Sequence, residues 1–239
     1  VLRTSLQDSL FLFQSINPTN YMHSSFFKTL AILCIGGLTA CTQPAQQDDK
    51  TCQEGVQEEQ PNAVIETIMS RRSIRKYKPE PVSRETMETI LECGINAPNG
   101  MNKQSWEIRV VDNPDFINGI TEVYKKANPK AAEDPSFKNM FRNAPTVVFI
   151  AHDPGYDCSQ IDCGLLGENM ILSAWSMGIG SCCLGGPVRF INTNPEAAPY
   201  LQKLGFSEGY RLLYCIAFGH PDETPAAKPR SKEKIKYVE

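Results

Sequence analysis

Histidine is scarce in this chain, and the few histidines are poorly placed for catalysis. Only three occur in 239 residues: His23 lies near the N-terminus, and His152 and His220 follow predicted strands. Neither a Ser-His-Asp set nor a paired-carboxylate motif is visible. Zinc-finger spacing is missing too, because Cys158 and Cys163 form at most half of a metal site. The sequence therefore predicts no metal centre and no side chain that could carry a reaction alone.

A surplus of positive charge is also missing. Lys and Arg number 24 against 27 Asp and Glu, so the formal net charge is -3. Proteins that bind nucleic acid concentrate basic residues on one surface, and this balance argues against such a partner. The chain is 41% hydrophobic and has no visible internal repeat. Its length and composition fit one globular domain with a short appendage.

Long apolar runs are lacking as well, which bears on the N-terminal region. The run Leu30–Leu38 has nine residues, whereas a membrane-spanning helix needs about 20. Lys28 precedes this run and small residues follow it, so we predict a secretory signal within residues 1–40. A natural start at Met22 would make residues 1–21 an extension of the gene model. A buried hydrophobic helix is the alternative, although Gly36-Gly37 suits a helix poorly.

The signal is predicted to end in a lipid attachment site. The sequence Leu38-Thr39-Ala40-Cys41 resembles the bacterial lipobox, in which the cysteine is lipidated. This resemblance implies an exported, membrane-anchored lipoprotein that faces the periplasm or the cell surface. Residues 41–61 are rich in Gln and acidic side chains and nearly devoid of apolar ones, so we expect a flexible tether before a domain at residues 62–239.

The cysteine count does not indicate a disulfide framework. Of nine cysteines, Cys34 would leave with the signal and Cys41 would carry lipid, which leaves an odd number of seven (9 - 2). Core packing is the expected role for most of them. If the domain is exported, a single disulfide between Cys158 and Cys163 is an alternative to seven free thiols.

The folded part mixes helical and strand patterns. Apolar residues at helical spacing predict a helix over 64–69 and a second helix that begins at the N-cap Ser83. Residues 162–177 form the longest helix candidate and are apolar nearly all round, which predicts burial on more than one side. Strands are predicted at 107–111, 146–151 and 211–218. This mixture indicates an α+β sandwich.

Two cationic motifs flank a loop rich in amide groups. Arg71-Arg72-Ser73-Ile74-Arg75 follows the first helix, and Lys228-Pro229-Arg230 lies near the C-terminus. Arg is the preferred side chain for gripping phosphate. The loop Ala97–Trp106 lies between them and offers many hydrogen-bonding groups. Together the three pieces suit a phosphorylated, hydrogen-bonding aromatic cofactor, although each motif alone could be a solvated helix end, tail or turn.

The order and spacing of four blocks resemble the FMN-dependent nitroreductase family over roughly Val64–Val238. The blocks are the R-x-S-x-R run at Arg71, the P-x-x-x-N-x-Q-x-W loop that begins at Pro98, the segment Gly164–Pro187, and the K-x-R at Lys228. The resemblance implies a homodimeric three-layer sandwich with a central, mostly antiparallel sheet and FMN at the subunit interface. It also implies two-electron transfer by hydride through flavin N5, from NAD(P)H to a nitroaromatic, quinone or similar acceptor.

The same resemblance implies the role of each site residue. Phosphate, ribityl and the pyrimidine edge would be held by Arg71, Arg72, Ser73 and Arg75. Lys228 and Arg230 would close over the phosphate, and Leu184, Gly185 and Gly186 would run beneath the ring. The other subunit would supply the loop residues Pro98, Asn99, Gly100, Asn102 and Gln104.

Two departures from the family pattern leave the acceptor open. Many members have two serines where this chain has Asn99-Gly100, and a proline where it has Ser105. The acceptor side is predicted within residues 112–142, whose aromatic residues could form a wall or belong to the core: Phe116, Tyr124, Phe137 and Phe141. Since nicotinamide cofactors are cytoplasmic, an exported protein would draw on a membrane electron donor, catalyse other flavin chemistry or act as a flavin carrier.

Overall fold

Four strands form one antiparallel sheet in the order β1–β2–β4–β3. They span Trp106–Val111 (β1), Thr146–His152 (β2), Gly180–Leu184 (β3) and Arg211–Gly219 (β4). This computed structural model describes residues 62–239. The predicted signal, the lipidated Cys41 and the tether lie outside the described residues.

Seven helices and two 3-10 turns surround the sheet within this part of the chain. The helices are α1 Ala63–Ser70, α2 Arg84–Ile95, α3 Pro114–Ala127, α4 Pro129–Glu133, α5 Ser159–Ser176, α6 Gly186–Thr193 and α7 Ala198–Leu204; the turns are Gly100–Asn102 and Pro195–Ala197. The Ser83 hydroxyl accepts a hydrogen bond from the Thr86 amide and caps α2, as predicted. None of the described helices is both long and apolar enough to cross a bilayer.

The sheet is covered on both faces, and alternate residues of its two inner strands separate the two cores. Val148 and Ile216 point toward a cluster with residues of α2 and α5 such as Ile90 and Met170. Phe149 belongs to the opposite cluster, with residues of α3 and α6. Because strand side chains alternate between faces, one strand supplies both cores. The architecture is the three-layer α+β sandwich that was expected.

Helix α5 is the long apolar helix of the sequence, and its exposure is uneven. Leu166 and Met170 are fully buried against the sheet, whereas Ile161 and Leu165 are 65% and 41% exposed. Gly167 allows close approach to the sheet, because a Cβ there would lie 2.1 Å from the hydroxyl of Tyr214.

The segment that follows α1 lies along the edge of the sheet. Ile74 donates its amide to Ser181 of β3 at 2.9 Å. Further along, Lys78 donates to His220 and Asp222 donates to Lys76, at 2.9 and 3.0 Å. These backbone bonds fix the path of residues 73–78 beside β3 and the end of β4. The arginine-rich motif is therefore held at this edge of the sheet.

Candidate functional site

A cleft of about 1160 Å³ opens beside the edge strand β3. Four parts of the chain border it: the extended segment after α1, residues 112–124 at and within α3, the loop 134–145 that precedes β2, and the junction of β3 with α6. Its lining includes Arg75, Tyr77, Arg142, Cys183, Leu184, Gly185 and Gly186. Pockets for small ligands usually enclose about 300–1,000 Å³, so the cleft has room for a mononucleotide.

Arg75 is held in the cleft through its own backbone. The Glu223 carboxylate accepts hydrogen bonds from the amides of Arg75 and Lys76. The guanidinium of Arg75 donates to the Ser73 carbonyl at 3.2 Å and forms no ion pair with another described residue. Since a guanidinium offers five donors, most of its hydrogen-bonding capacity is available to a ligand.

The other members of the arginine motif have different surroundings. The Arg72 guanidinium donates to the carbonyls of Met69 and Arg71, both at 2.8 Å, and so satisfies the end of α1. Ser73 forms a bridge to Ser181 of β3. Burial raises the pKa of the Cys182 and Cys183 thiols of β3, and the positive charge of nearby Arg71 opposes that rise in part. None of these three residues lines the cleft within one chain, as Arg75 does.

The Leu184–Gly186 junction forms an open part of the cleft wall. Leu184 ends β3 and Gly186 begins α6. A Cβ built on Gly185 or Gly186 would meet no atom within 4 Å, so the backbone here faces open space. A planar ligand could therefore approach the main chain closely, which is the role that glycine permits.

The amide-rich loop lies away from this cleft in the same chain. It packs against the N-terminal end of α5, where the Gly100 amide donates to Asp162 at 3.1 Å. The Asn99 side chain accepts from the Gln104 amide at 2.9 Å and so closes the loop on itself. The Asn102 and Gln104 side chains are exposed, and Pro98 begins the loop. One chain alone does not bring this loop and the cleft together.

Lys228 and Arg230 lie in an exposed C-terminal segment. The only hydrogen bonds of the Arg230 guanidinium to described residues go to the neighbouring carbonyls of Lys228 and Pro229, at 3.3 and 3.4 Å. Neither residue lines the cleft of its own chain. Both charges remain available to a ligand or to a second chain.

Of the four aromatic residues predicted to form either a wall of the acceptor site or part of the core, two line the cleft and two belong to the core. Tyr124 and Phe137 stack with ring centroids 5.8 Å apart, and both line the cleft. Phe116 and Phe141 instead pack edge-on against Phe149 in the core. One pair is thus positioned as a wall, and the other pair belongs to the core.

Arg142 lines the cleft at the end of the predicted acceptor region 112–142, although the sequence did not single it out as a site residue. It adopts a left-handed backbone conformation with φ 61°, as does the following Asn143. The Asn143 carboxamide holds this turn by accepting from the amides of Lys138 and Asn139, both at 2.9 Å. Asn143 before Ala144-Pro145 is a common turn signal, and such a turn occurs in many proteins without any ligand nearby. The sequence therefore offered no reason to select Arg142, the residue before it.

Two weakly acidic groups of the cleft, the Cys183 thiol and the Tyr77 hydroxyl, are held in their neutral forms. Desolvation in the cleft raises the pKa of Cys183 to about 11. Burial also raises the pKa of Tyr77, whose hydroxyl donates to the Ile74 carbonyl. All six cysteines of the described residues are free thiols, so the Cys158–Cys163 bridge is not formed. Within residues 62–239, no group of three His, Cys, Asp or Glu could hold a metal ion.

Comparison with known proteins gives a consistent result. Residues 68–220 match the model of the nitroreductase family. An NADPH-flavin oxidoreductase of Vibrio harveyi is 30% identical over 177 residues, covering 71% of this chain and 70% of that protein. A nitroreductase of Bacteroides fragilis, solved with bound FMN, is 29% identical with a TM-score of 0.64, covering 74% of this chain and 100% of its own.

A second solved nitroreductase with bound FMN, from Desulfitobacterium hafniense, is 31% identical with a TM-score of 0.65 and covers 74% of this chain and 99% of its own. The matched region includes the whole sheet and the four parts of the chain that border the cleft. The sheet order and the sequence blocks agree with this assignment, and the chain belongs to the nitroreductase family.

Proposed function

We propose that this protein is an FMN-dependent oxidoreductase that moves two electrons from NAD(P)H to a nitroaromatic, quinone or similar acceptor. One observation carries the proposal: the cleft brings Arg75, which has no ion-pair partner among residues 62–239, together with the open backbone of Gly185 and Gly186. The similar proteins support it, because one is named as an NADPH-flavin oxidoreductase and two were solved with FMN.

The residues of the cleft fit a flavin mononucleotide. Arg75 would hold its polar groups from within the cleft, Arg71 and Ser73 would add to this from the adjoining segment, and the Leu184–Gly186 backbone would lie against the ring. When bound, FMN supplies the redox chemistry by carrying two electrons as a hydride at N5. The protein contributes binding, orientation and exclusion of water. The positive charge of Arg75 favours a negatively charged reduced cofactor.

We further propose that the functional unit is a homodimer in which the amide loop of one chain completes the cleft of the other. An exposed apolar surface supports this proposal, since Val64, Ile65, Ile68 and Met69 of α1 are 66%, 60%, 49% and 72% exposed. Large exposed apolar patches usually mark an interface. The exposed Ile161 and Leu165 of α5 would add to it. This arrangement would give Asn102 and Gln104 access to the flavin.

An anaerobic titration of the purified protein with NADH and NADPH tests the function. We expect flavin absorption bands that bleach with one or both nucleotides and return when an acceptor is added. Arg75→Ala should weaken FMN binding at least tenfold, whereas Arg84→Ala on the exposed start of α2 should not. A preparation that neither contains nor binds FMN would rule out the proposal.

The N-terminal sequence favours a second source of electrons. We propose that the chain is exported and lipid-anchored at Cys41, so that a membrane quinol replaces NAD(P)H as donor. A bound flavin that neither NADH nor NADPH reduces, but that a quinol in detergent does reduce, would support this alternative. Incorporation of labelled palmitate that disappears in Cys41→Ala would support the anchor, and an unlabelled wild-type protein would contradict it.

A further inference from the structure

The amide loop that we assign to the partner's flavin is tied down by one buried carboxylate. Asp162 lies in the first turn of α5 and is only 3% exposed. Its Oδ1 accepts from the Gly100 amide and its Oδ2 accepts from the Ser105 hydroxyl, both at 3.1 Å. The two oxygens of a single side chain therefore hold both ends of the segment 100–105.

The charge of Asp162 has no other evident use in the described residues. No cation of residues 62–239 lies within ion-pair distance of it. A buried carboxylate is costly unless hydrogen bonds satisfy it. Its position near the N-terminus of α5 lessens that cost. The Gly100 amide and the Ser105 hydroxyl are thus the hydrogen-bond donors that satisfy the Asp162 carboxylate.

The loop needs such a tie because its backbone is strained. Met101, Asn102 and Gln104 all have positive φ, at 53°, 51° and 48°, and none of them is glycine. Residues of this kind persist only where the surrounding structure fixes them, and they concentrate at functional sites. The Ser105 carbonyl is fixed as well, by accepting from the Asp153 amide at 3.1 Å. Without Asp162, the segment would relax toward ordinary conformations.

We propose that Asp162 is a positioning residue for flavin binding, which acts by fixing segment 101–104, with its three residues of positive φ, so that Asn102 and Gln104 reach the cofactor of the partner subunit. The inference rests on the proposed function. It assigns the carboxylate no contact with FMN or substrate. It predicts that FMN affinity depends on the two hydrogen bonds of Asp162 and not on its charge.

The test compares Asp162→Ala with Asp162→Asn in the full chain. The carboxamide of Asp162→Asn can accept from the Gly100 amide and donate to the Ser105 hydroxyl, so it should keep the FMN dissociation constant within about threefold. Asp162→Ala should raise that constant at least tenfold. Ser105→Ala, which removes one of the two bonds, should fall between them. FMN fluorescence quenching gives the constants, and circular dichroism checks the fold.

Complementation between subunits separates positioning from general damage. A heterodimer of Asp162→Ala and Arg75→Ala chains would contain one cleft and one loop that are both intact. We expect mixing with subunit exchange to restore high-affinity FMN binding at one site per heterodimer, which is about half a site per dimer in an equimolar mixture, although neither variant binds well alone. Tight FMN binding by Asp162→Ala, or no restoration on mixing, would overturn the inference while the proposed function stands. Absence of FMN from the wild type would overturn both.

Discussion

At some positions of this fold there is no room for even one more methyl group, and Gly167 is such a position. A methyl group there would meet the Tyr214 hydroxyl, which donates to the Cys163 carbonyl. We expect Gly167→Ala to lower the free energy of unfolding by about 1–3 kcal/mol. Adding Tyr214→Phe should recover part of that loss, because it removes the clashing atom. Urea denaturation of the double-mutant cycle measures the coupling, and strictly additive effects would contradict the predicted contact.

His152 makes stability depend on pH. Burial lowers its pKa below the ordinary value of 6.5, and the nearby Arg211 lowers it further. Its Nδ1 shares a hydrogen bond with the buried Ser159 hydroxyl at 2.9 Å. The unfolded chain therefore binds more protons below about pH 6.5, so this contribution to stability is present above that pH and is lost as the pH falls.

We expect the free energy of unfolding to fall between pH 7 and pH 5 in the wild type and to fall less in His152→Asn. The Asn side chain can still accept from Ser159 but does not titrate. His220→Asn is the matched control and should keep the wild-type dependence. Denaturant unfolding at a series of pH values measures it. An unchanged dependence in His152→Asn would show that another group is responsible.

Single residues also show how far sequence reasoning reached. The arginine motif and the glycine pair could be selected from the family pattern, and the structure places Arg75, Gly185 and Gly186 around one cleft. Arg142 and Asp162 were not selected, because a turn arginine and a helical aspartate have no distinctive local sequence. Their surroundings depend on contacts between residues far apart in the chain.

Among the elements, helix α1 packs little of its apolar surface against its own chain. None of its eight residues is buried, although four of them are large and apolar. We expect Ile68→Glu to shift the protein from dimer to monomer and to lower FMN affinity at least tenfold. Lys126→Glu, on the exposed surface of α3, should change neither property. Analytical ultracentrifugation measures the association state, and a monomeric wild type would contradict the dimer.

The strands and helices were predicted unevenly, for a physical reason. Strands β2 and β4 and the helices α2 and α5 have strong periodicity or long apolar runs, and these four elements match the prediction closely. Strand β3 was not predicted, because Gly180-Ser181-Cys182-Cys183-Leu184 has no β-branched residue and no clear alternation. It becomes a strand through pairing with β4, with Cys182 opposite Ala217. Such pairing between distant segments is invisible to local pattern.

At the scale of the whole molecule, the C-terminal segment contributes charge but little packing. Residues 224–239 are almost entirely exposed, whereas the preceding Glu223 holds the backbone of Arg75. A chain that ends at Glu223 should still fold cooperatively but bind FMN at least tenfold more weakly. The double variant Lys228→Ala and Arg230→Ala should reproduce that loss. Thermal unfolding and flavin titration test this, and undiminished FMN affinity in both proteins would contradict it.

The strand order has a consequence for biosynthesis. Strand β4 is last in sequence, yet it lies between β2 and β3 and pairs with both. Until residue 219 has left the ribosome, β3 has no neighbouring strand in the sheet, and both cores lack the side chains that β4 contributes. The nascent chain must therefore stay open until its synthesis is nearly complete. Under the export proposed above, a chain that stays open in this way could pass through a channel that accepts only unfolded polypeptides, and β4 would complete the sheet after translocation.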